Sequence, residues 1–393
     1  MESFVQITEQ GGSCRMRTKG WKRTAATGIA LSMLVAGGIA MVGPFDPFPP
    51  SAEAAASSTA TSLISVIQQK LSARSTSFTV QVAGSASASV KTVDQAFSSA
   101  MKLDDYVNYT IKSYSYSSKS NGKTATVNIK VNYWESASQS AYVTKRSQEI
   151  RAAIIKPGMN AHQKVKAVHD WILLNVAYDR TLQKHSAYDA LAKGTAVCQG
   201  YASLAYRLLK DAGVETRIAE GTVSTGAHAW NLVKLDGKWY HLDTTFDDPV
   251  PDVKGRTTYS YYLLTDAQIK RDHKWTLTYP AAVTSYQQTV KALKAKDASR
   301  QTFYANLETA LGYIYLLPEN SASTIEEFAK RIKTAIKSGK TTVKVRYVHG
   351  AGKKLDLQKL LDAVPELTSI QTSTSSFPIG NADDALVTIT FKT

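Results

Sequence analysis

A chain of 393 residues has length for two or three domains and for cores that need no disulfide staples. Its 43% hydrophobic content excludes a disordered polar chain, and its two cysteines exclude a cystine-stapled scaffold. With 47 Lys and Arg against 32 Asp and Glu the net charge is +15, which favours anionic surroundings, but the basic residues are scattered without an aromatic-basic motif, so nucleic acid is not an expected partner.

The N-terminus carries Arg15, Arg17, Lys19, Lys22 and Arg23, then an uncharged run from Thr24 to Gly43, then a Pro-rich stretch and Ser51-Ala52-Glu53-Ala54-Ala55-Ala56. A basic segment, an apolar segment and an Ala-x-Ala site read as a secretory signal, so residues 1–56 are expected to be a signal peptide and linker, and the mature protein secreted or associated with the cell wall. The rival is an uncleaved anchor, since about 20 apolar residues span a bilayer; membrane contact would then run through this segment alone. Cys14 leaves with the signal, and Cys198 is left with no partner for an intramolecular bridge. It is then a reactive thiol, an intermolecular link or a buried inert cysteine.

Residues 57–150 are expected to form a small αβαββ module. Leu63, Ile64, Ile67 and Leu71 have helical spacing, Phe78 to Val82 alternate as a strand, and a second helix is expected near Val93 to Tyr106. Strands Tyr109 to Ser117 and Thr124 to Tyr133 then meet through Asn121-Gly122, a hairpin dipeptide.

The central region, residues 151–282, opens with a helix from Ala161 to Ala177 whose Val165, Val168, Ile172 and Val176 share a face. Another helix starts at Cys198, carries Tyr201, Leu204, Ala205, Leu208 and Leu209 as an apolar stripe, and closes at Gly213. Strands Val214 to Gly221, Ala227 to Leu235 and Lys238 to Asp243 follow, the last two joined through Asp236-Gly237. Helices followed by an antiparallel meander give an α+β fold class.

Residues 283–393 repeat the αβαββ order of the first module. A helix with Ile325, Phe328, Ile332 and Ile336 stops at Gly339, strand Val343 to Tyr347 follows, Leu357, Leu360 and Leu361 mark a helix, and strands Ser369 to Ser375 and Ala385 to Phe391 end the chain.

A thiol at the first residue of a helix meets the positive end of the helix dipole and unpaired backbone N–H groups, which favour thiolate and could hold an oxyanion. A two-residue turn at Asp236-Gly237 sets a register in which Trp230 faces Asp243 and His228 faces Thr245. His228, Trp230 and Leu232 then share a side with Trp239, His241 and Asp243, and His228 and Asp243 are diagonal neighbours, about 7 Å apart at the backbone. Asp243 could orient an imidazole that takes the thiol proton. Each residue also has a plainer role: His228 as a core histidine, Asp243 as a turn cap. On geometry alone His241 competes with His228.

The runs GTAVCQGYASLAYRLLKDAGV and AHAWNLVKLDGKWYHLDTTFDDP resemble the core of the transglutaminase-like superfamily, over roughly residues 161–279. The resemblance implies a central papain-like fold, with Cys198 as nucleophile, His228 as base in preference to His241, and Asp243 as its orienting partner. It implies acyl transfer at amide groups of a protein or peptide substrate through a Cys thioester, with water as acceptor in a peptidase or deamidase and a lysine amine in crosslinking. Tyr178, Trp171 and Tyr188 are the candidate ring donors to the oxyanion. The alternative is a non-catalytic extracellular or cell-wall peptide-binding protein that keeps the cleft.

No cofactor and no metal are expected. Asp247 and Asp248 read as a turn, the histidines and one mature cysteine lack zinc spacing, and Gly194 and Gly200 form no phosphate loop.

Overall fold

The computed structural model describes residues 60–377, 379–381 and 383–393, with the backbone of two short strands at Ser3–Val5 and Ala55–Ala56. The expected export segment at residues 1–56 otherwise lies outside the described residues. Among the described residues no helix is long and apolar enough to cross a membrane. The fold class is α+β, as expected, and the chain divides into two compact units. One comprises residues 1–232 and 272–279, the other 233–271 and 280–393.

The first unit begins with α1 (Ala60–Ser72), β1 (Ser77–Ala83), α2 (Ala86–Met101), α3 (Asp105–Thr110), β2 (Ile111–Ser120) and β3 (Thr124–Tyr133). Leu63, Ile67 and Leu71 recur every fourth residue of α1 and are buried, as are Phe78, Val80 and Val82 at alternate positions of β1. They join Val93, Phe97, Val127 and Ile129 in one core, where each fully buried aliphatic side chain contributes roughly 1.5–3 kcal/mol. The strands lie in the order β2-β3-β1, all antiparallel. The single helix expected near Val93 to Tyr106 is instead two. Asp104 accepts hydrogen bonds from the Tyr106 and Val107 N–H groups as an N-cap, so the chain restarts a helix there.

Next, α4 (Ala137–Ile154) carries the chain into α5 (Ala161–Asn175), β4 (Ala177–Tyr178), α6 (Ala187–Lys193), β5 (Thr195–Ala196) and α7 (Cys198–Asp211). Every residue of α7 from Cys198 to Tyr206 is buried, the mark of a central core helix rather than a surface one. Gly200 makes that burial possible: a Cβ there would lie 2.6 Å from the Ala196 Cβ and 2.9 Å from the Ser186 carbonyl oxygen. Strands β6 (Thr216–Val223) and β7 (Gly226–Leu235) follow, β7 running past Leu232 into the second unit. The returning segment at residues 272–279 joins β6 through paired Thr222 and Lys274 backbone bonds of 2.7 and 2.9 Å. A Cβ on Gly221 would sit 2.0 Å from the Lys274 carbonyl oxygen, so only glycine admits this approach.

Buried polar groups tie the first module to the helices and strand that follow it. The Asp105 carboxylate accepts from the Arg217 Nε at 2.7 Å, an Arg217 terminal nitrogen at 3.1 Å and the Ile218 N–H at 2.9 Å. Glu135, fully buried, accepts from the Tyr106 hydroxyl, the Ser140 hydroxyl and the Tyr188 N–H. Burial, then the Glu135 charge, push the Tyr106 phenol well above its ordinary pKa.

In the second unit Asp236 and Gly237 have φ of 49° and 77°, the left-handed pair of a two-residue hairpin, and join β7 to β8 (Lys238–Leu242). α8 (Thr244–Asp247), α9 (Asp266–Ile269), α10 (Tyr286–Lys296) and α11 (Gln301–Ala310) follow. None of these four was anticipated, and Asp247, read as part of a turn, ends the one-turn helix α8. β9 (Ser321–Ala322), α12 (Ile325–Lys337), β10 (Thr342–Tyr347), α13 (Leu357–Ala363), β11 (Ser369–Ser376) and β12 (Ala385–Lys392) complete the chain, with strand order β9-β10-β12-β11. Phe328, Ile332, Val345, Leu360, Val387 and Ile389 form this core.

Candidate active site

Val197, with extended backbone, is the N-cap of α7, and the Gly200 and Tyr201 N–H groups return to its carbonyl at 2.9 and 3.1 Å. Cys198 is therefore the first helical residue, as expected, with its sulfur beside the positive end of the helix. It is in no disulfide and is 1% exposed.

Several contacts fix that helix start. The Val197 N–H donates to the Lys184 carbonyl at 2.8 Å, and the loop bearing Lys184 is organised by Asp179. The Asp179 carboxylate accepts from the Thr181 N–H and hydroxyl and from the Gln183 and Lys184 N–H groups. Burial opposes ionisation of Asp179, but these donors together outweigh it and hold its carboxyl below the ordinary carboxylate pKa. On the other flank Gln199 Nε2 donates to the Tyr109 carbonyl at 2.7 Å, which joins the residue after the thiol to α3. β4 and β5 pair in parallel, with Tyr178 opposite Ala196, two residues before Cys198. Of the ring donors considered, Tyr178 has this register position. Tyr188 is edge-on to Tyr142 at 5.4 Å, and the Trp171 carbonyl accepts from Asn175 Nδ2 at 2.7 Å.

His228 lies on β7, 4% exposed. It stacks with Trp230 at 5.9 Å between ring centroids and 16° between planes, as expected for residues two apart on one face of a strand. Next to Trp230 on β7, fully buried Asn231 donates through Nδ2 to the Ala202 carbonyl in α7 at 3.0 Å and to the Arg217 carbonyl in β6 at 3.3 Å. The histidine strand and the thiol helix thus belong to the same compact unit and are bonded to each other.

Asp243 belongs to the second unit. It sits one residue beyond β8, fully buried, and its Oδ1 accepts from the Thr245 and Phe246 N–H groups at 2.9 and 3.1 Å, capping α8. Its plainer role is therefore real. His241, the competing histidine, has its Nε2 2.8 Å from Asp266 Oδ1 and exchanges two 2.9 Å backbone bonds with Leu264. Asp247 accepts from the Tyr261 N–H at 2.8 Å, an acceptor role within the local chain path.

Residues that sequence reasoning missed sit beside His228. His273, fully buried, has its ring edge-on to His228 at 5.2 Å and to Trp230 at 5.1 Å, and its Nδ1 is 2.6 Å from Asp272 Oδ1. Trp275 meets Trp230 at 5.9 Å. Tyr279 accepts from the Glu220 N–H at 3.0 Å, and burial pushes its phenol up to about 12. These residues lie in the returning segment at 272–279, which carries no periodic pattern. The one available signal was the dense His, Trp and Tyr content of Asp272-His273-Lys274-Trp275-Thr276-Leu277-Thr278-Tyr279. Within the first unit the thiol and imidazole offer a nucleophile and a base, and the helix start offers N–H donors for an oxyanion.

Comparison with known proteins finds relatives for part of the chain. Residues 148–244 match the family model of the transglutaminase-like superfamily. The chain is 25% identical to human kyphoscoliosis peptidase over 245 residues, which is 55% of this chain and 37% of the relative. It is 26% identical to the mouse protein of the same name over 252 residues, 56% of this chain and 37% of that relative. The chain thus spans little more than a third of the length of these relatives. A solved structure of a TGase aligns over 42% of this chain and 50% of its own, with 13% identity and a TM-score of 0.25.

Proposed function

From the premise that this chain carries a core of the transglutaminase-like superfamily, a family of cysteine enzymes, we propose that it catalyses acyl transfer at amide groups of protein or peptide substrates. Cys198 attacks the amide carbonyl, its proton passes through His228 to the leaving amine, and a thioester remains on the sulfur. Water then releases an acid, or a primary amine forms a new amide. Asp243 orients His228 in this reading, and the Gln199 N–H is the proposed backbone donor to the oxyanion. The carrying observation is a cysteine at the first residue of α7, a helix bonded through Asn231 to the strand that holds His228. Export by residues 1–56, and action at an anionic cell wall, remain part of the proposal.

The test incubates the protein with a glutamine-bearing peptide and a labelled primary amine and weighs the products. Amine incorporation, deamidation and backbone cleavage are distinguishable by mass, and Cys198→Ala is expected to abolish all three. Absence of every product with the unsubstituted protein would count against the reading.

One observation favours the second reading, a non-catalytic peptide-binding protein: Cys198 is 1% exposed and His228 4%. Catalysis requires substrate to reach that sulfur, whereas recognition does not. Cys198→Ala separates the two, because a binding protein would keep its capture of peptide and its biological effect.

A further inference from the structure

We propose that the C-terminal module binds a phosphodiester polymer without stacking bases, a polyol phosphate chain, along one face of α12. The inference is independent of the acyl-transfer reading.

Phe328, Ala329, Ile332 and Ala335 of α12 are buried, and Phe328 and Ile332 belong to the module's core. The opposite face carries Lys330, Lys333 and Lys337, all exposed. At about 1.5 Å rise per residue these three cations follow each other at roughly 4.5 and 6 Å along the axis. Among the described residues none of the three forms an ion pair. Lys337 stands in the last turn, where it complements the helix dipole, but Lys330 and Lys333 lie inside the helix, where that account does not reach. Like charges three and four residues apart cost the helix a few tenths of a kcal/mol per pair. The row is thus a local cost, offset at one end only by Glu326 four residues before Lys330.

A groove of about 440 Å³ runs along this face. Lys330, Lys333 and Lys337 line it with Ala329, Thr334 and Ala363, and Glu326 supplies its one carboxylate. On the other flank of α12 a second groove of about 410 Å³ brings in Arg331, Lys340 and Lys344, together with Glu319. Thr334 lines both. Cations therefore border the C-terminal half of α12 on two sides.

The lining selects the ligand. The lysine groove offers methyl and hydroxyl groups but no aromatic ring, and the second groove adds only Tyr315, so the series of stacking platforms that holds single-stranded nucleic acid is lacking. Among the described residues no large apolar side chain of α12 is exposed, so the lysine face offers a bilayer charge but no apolar anchor of its own. A flexible anionic chain with hydroxyl-bearing units satisfies both the charge and the lining.

The full-length protein is titrated with labelled poly(glycerol phosphate) over a range of salt concentrations. Binding is expected to fall linearly in log affinity against log salt. Substituting Lys330→Gln, Lys333→Gln and Lys337→Gln together should weaken it at least about tenfold at low salt and reduce the slope by about 2, at roughly 0.7 per contacted charge on a single chain. Glutamine matches lysine in helix propensity, and the corresponding Lys→Arg triple should restore binding, which separates lost charge from lost fold. A control triple with the same charge change, Lys91→Gln, Lys102→Gln and Lys123→Gln, should stay within about twofold. Equal losses in both triples, no binding at low salt, or tighter binding to single-stranded RNA or to anionic lipid vesicles would overturn the proposal.

Discussion

In the N-terminal module the one charged side chain of α3 turns inward: Asp105 grips Arg217 and the Ile218 N–H of β6, while the Tyr109 backbone carbonyl holds Gln199 beside the thiol. In the C-terminal module, whose helices and strands follow a similar order, α12 turns three lysines outward and β11 leaves most of its side chains exposed. Element order therefore does not set a module's task. The first module braces the helix that carries Cys198, while the second keeps a separate core and an open cationic face. The contrast also predicts where substitution should hurt.

The largest effect is expected at Gly200. Gly200→Ala drives a methyl against Ala196 and the Ser186 backbone, and should destabilise the first unit by about 2–3 kcal/mol, read as a lower denaturant midpoint. Asp105→Ala leaves the Ile218 N–H and Arg217 without their acceptor and should cost roughly 2 kcal/mol; a change under about 0.5 kcal/mol would mean the brace is ornamental. Gln199→Leu keeps size but loses the bond to Tyr109. About 1 kcal/mol of stability should go with it, and acyl transfer should fall in kcat more than in KM if the bond positions Cys198.

A pH test follows from Asp179, whose folded pKa is depressed. Its contribution to stability is full above the ordinary carboxylate pKa of about 4 and is lost as pH falls through the lower folded value. Asp179→Asn should destabilise the protein at neutral pH by roughly 1–2 kcal/mol and flatten this part of the acid limb. An unchanged limb in the variant would show that the Asp179 loop does not respond. Smallest of all, the α12 lysine triple should move the unfolding midpoint by no more than about 0.5 kcal/mol, since these side chains are exposed.

Much of this was legible from local chemistry. Period and caps located α7 to its first residue, because an apolar stripe begins at Cys198 and a left-handed glycine, Gly213 with φ of 79°, closes the helix. Asp236-Gly237 revealed the hairpin because few dipeptides accept two left-handed positions. The Asp104 break was missed because the apolar spacing runs on through it and only the cap chemistry interrupts. His273 and Trp275 were missed for a different reason. They reach His228 and Trp230 through a long-range return of the chain, admitted by Gly221, and such contacts leave no periodic trace.

The central claim is that the start of α7 activates the Cys198 sulfur. Its most direct test is the pH dependence of Cys198 alkylation by a small uncharged reagent, with the modified peptide identified by mass. Because the thiol is buried, absolute rates will be low, and the inflection carries the information. An inflection well below about 8.5 is the predicted result; one at or above that value would mark a thiol buried without activation and contradict the account.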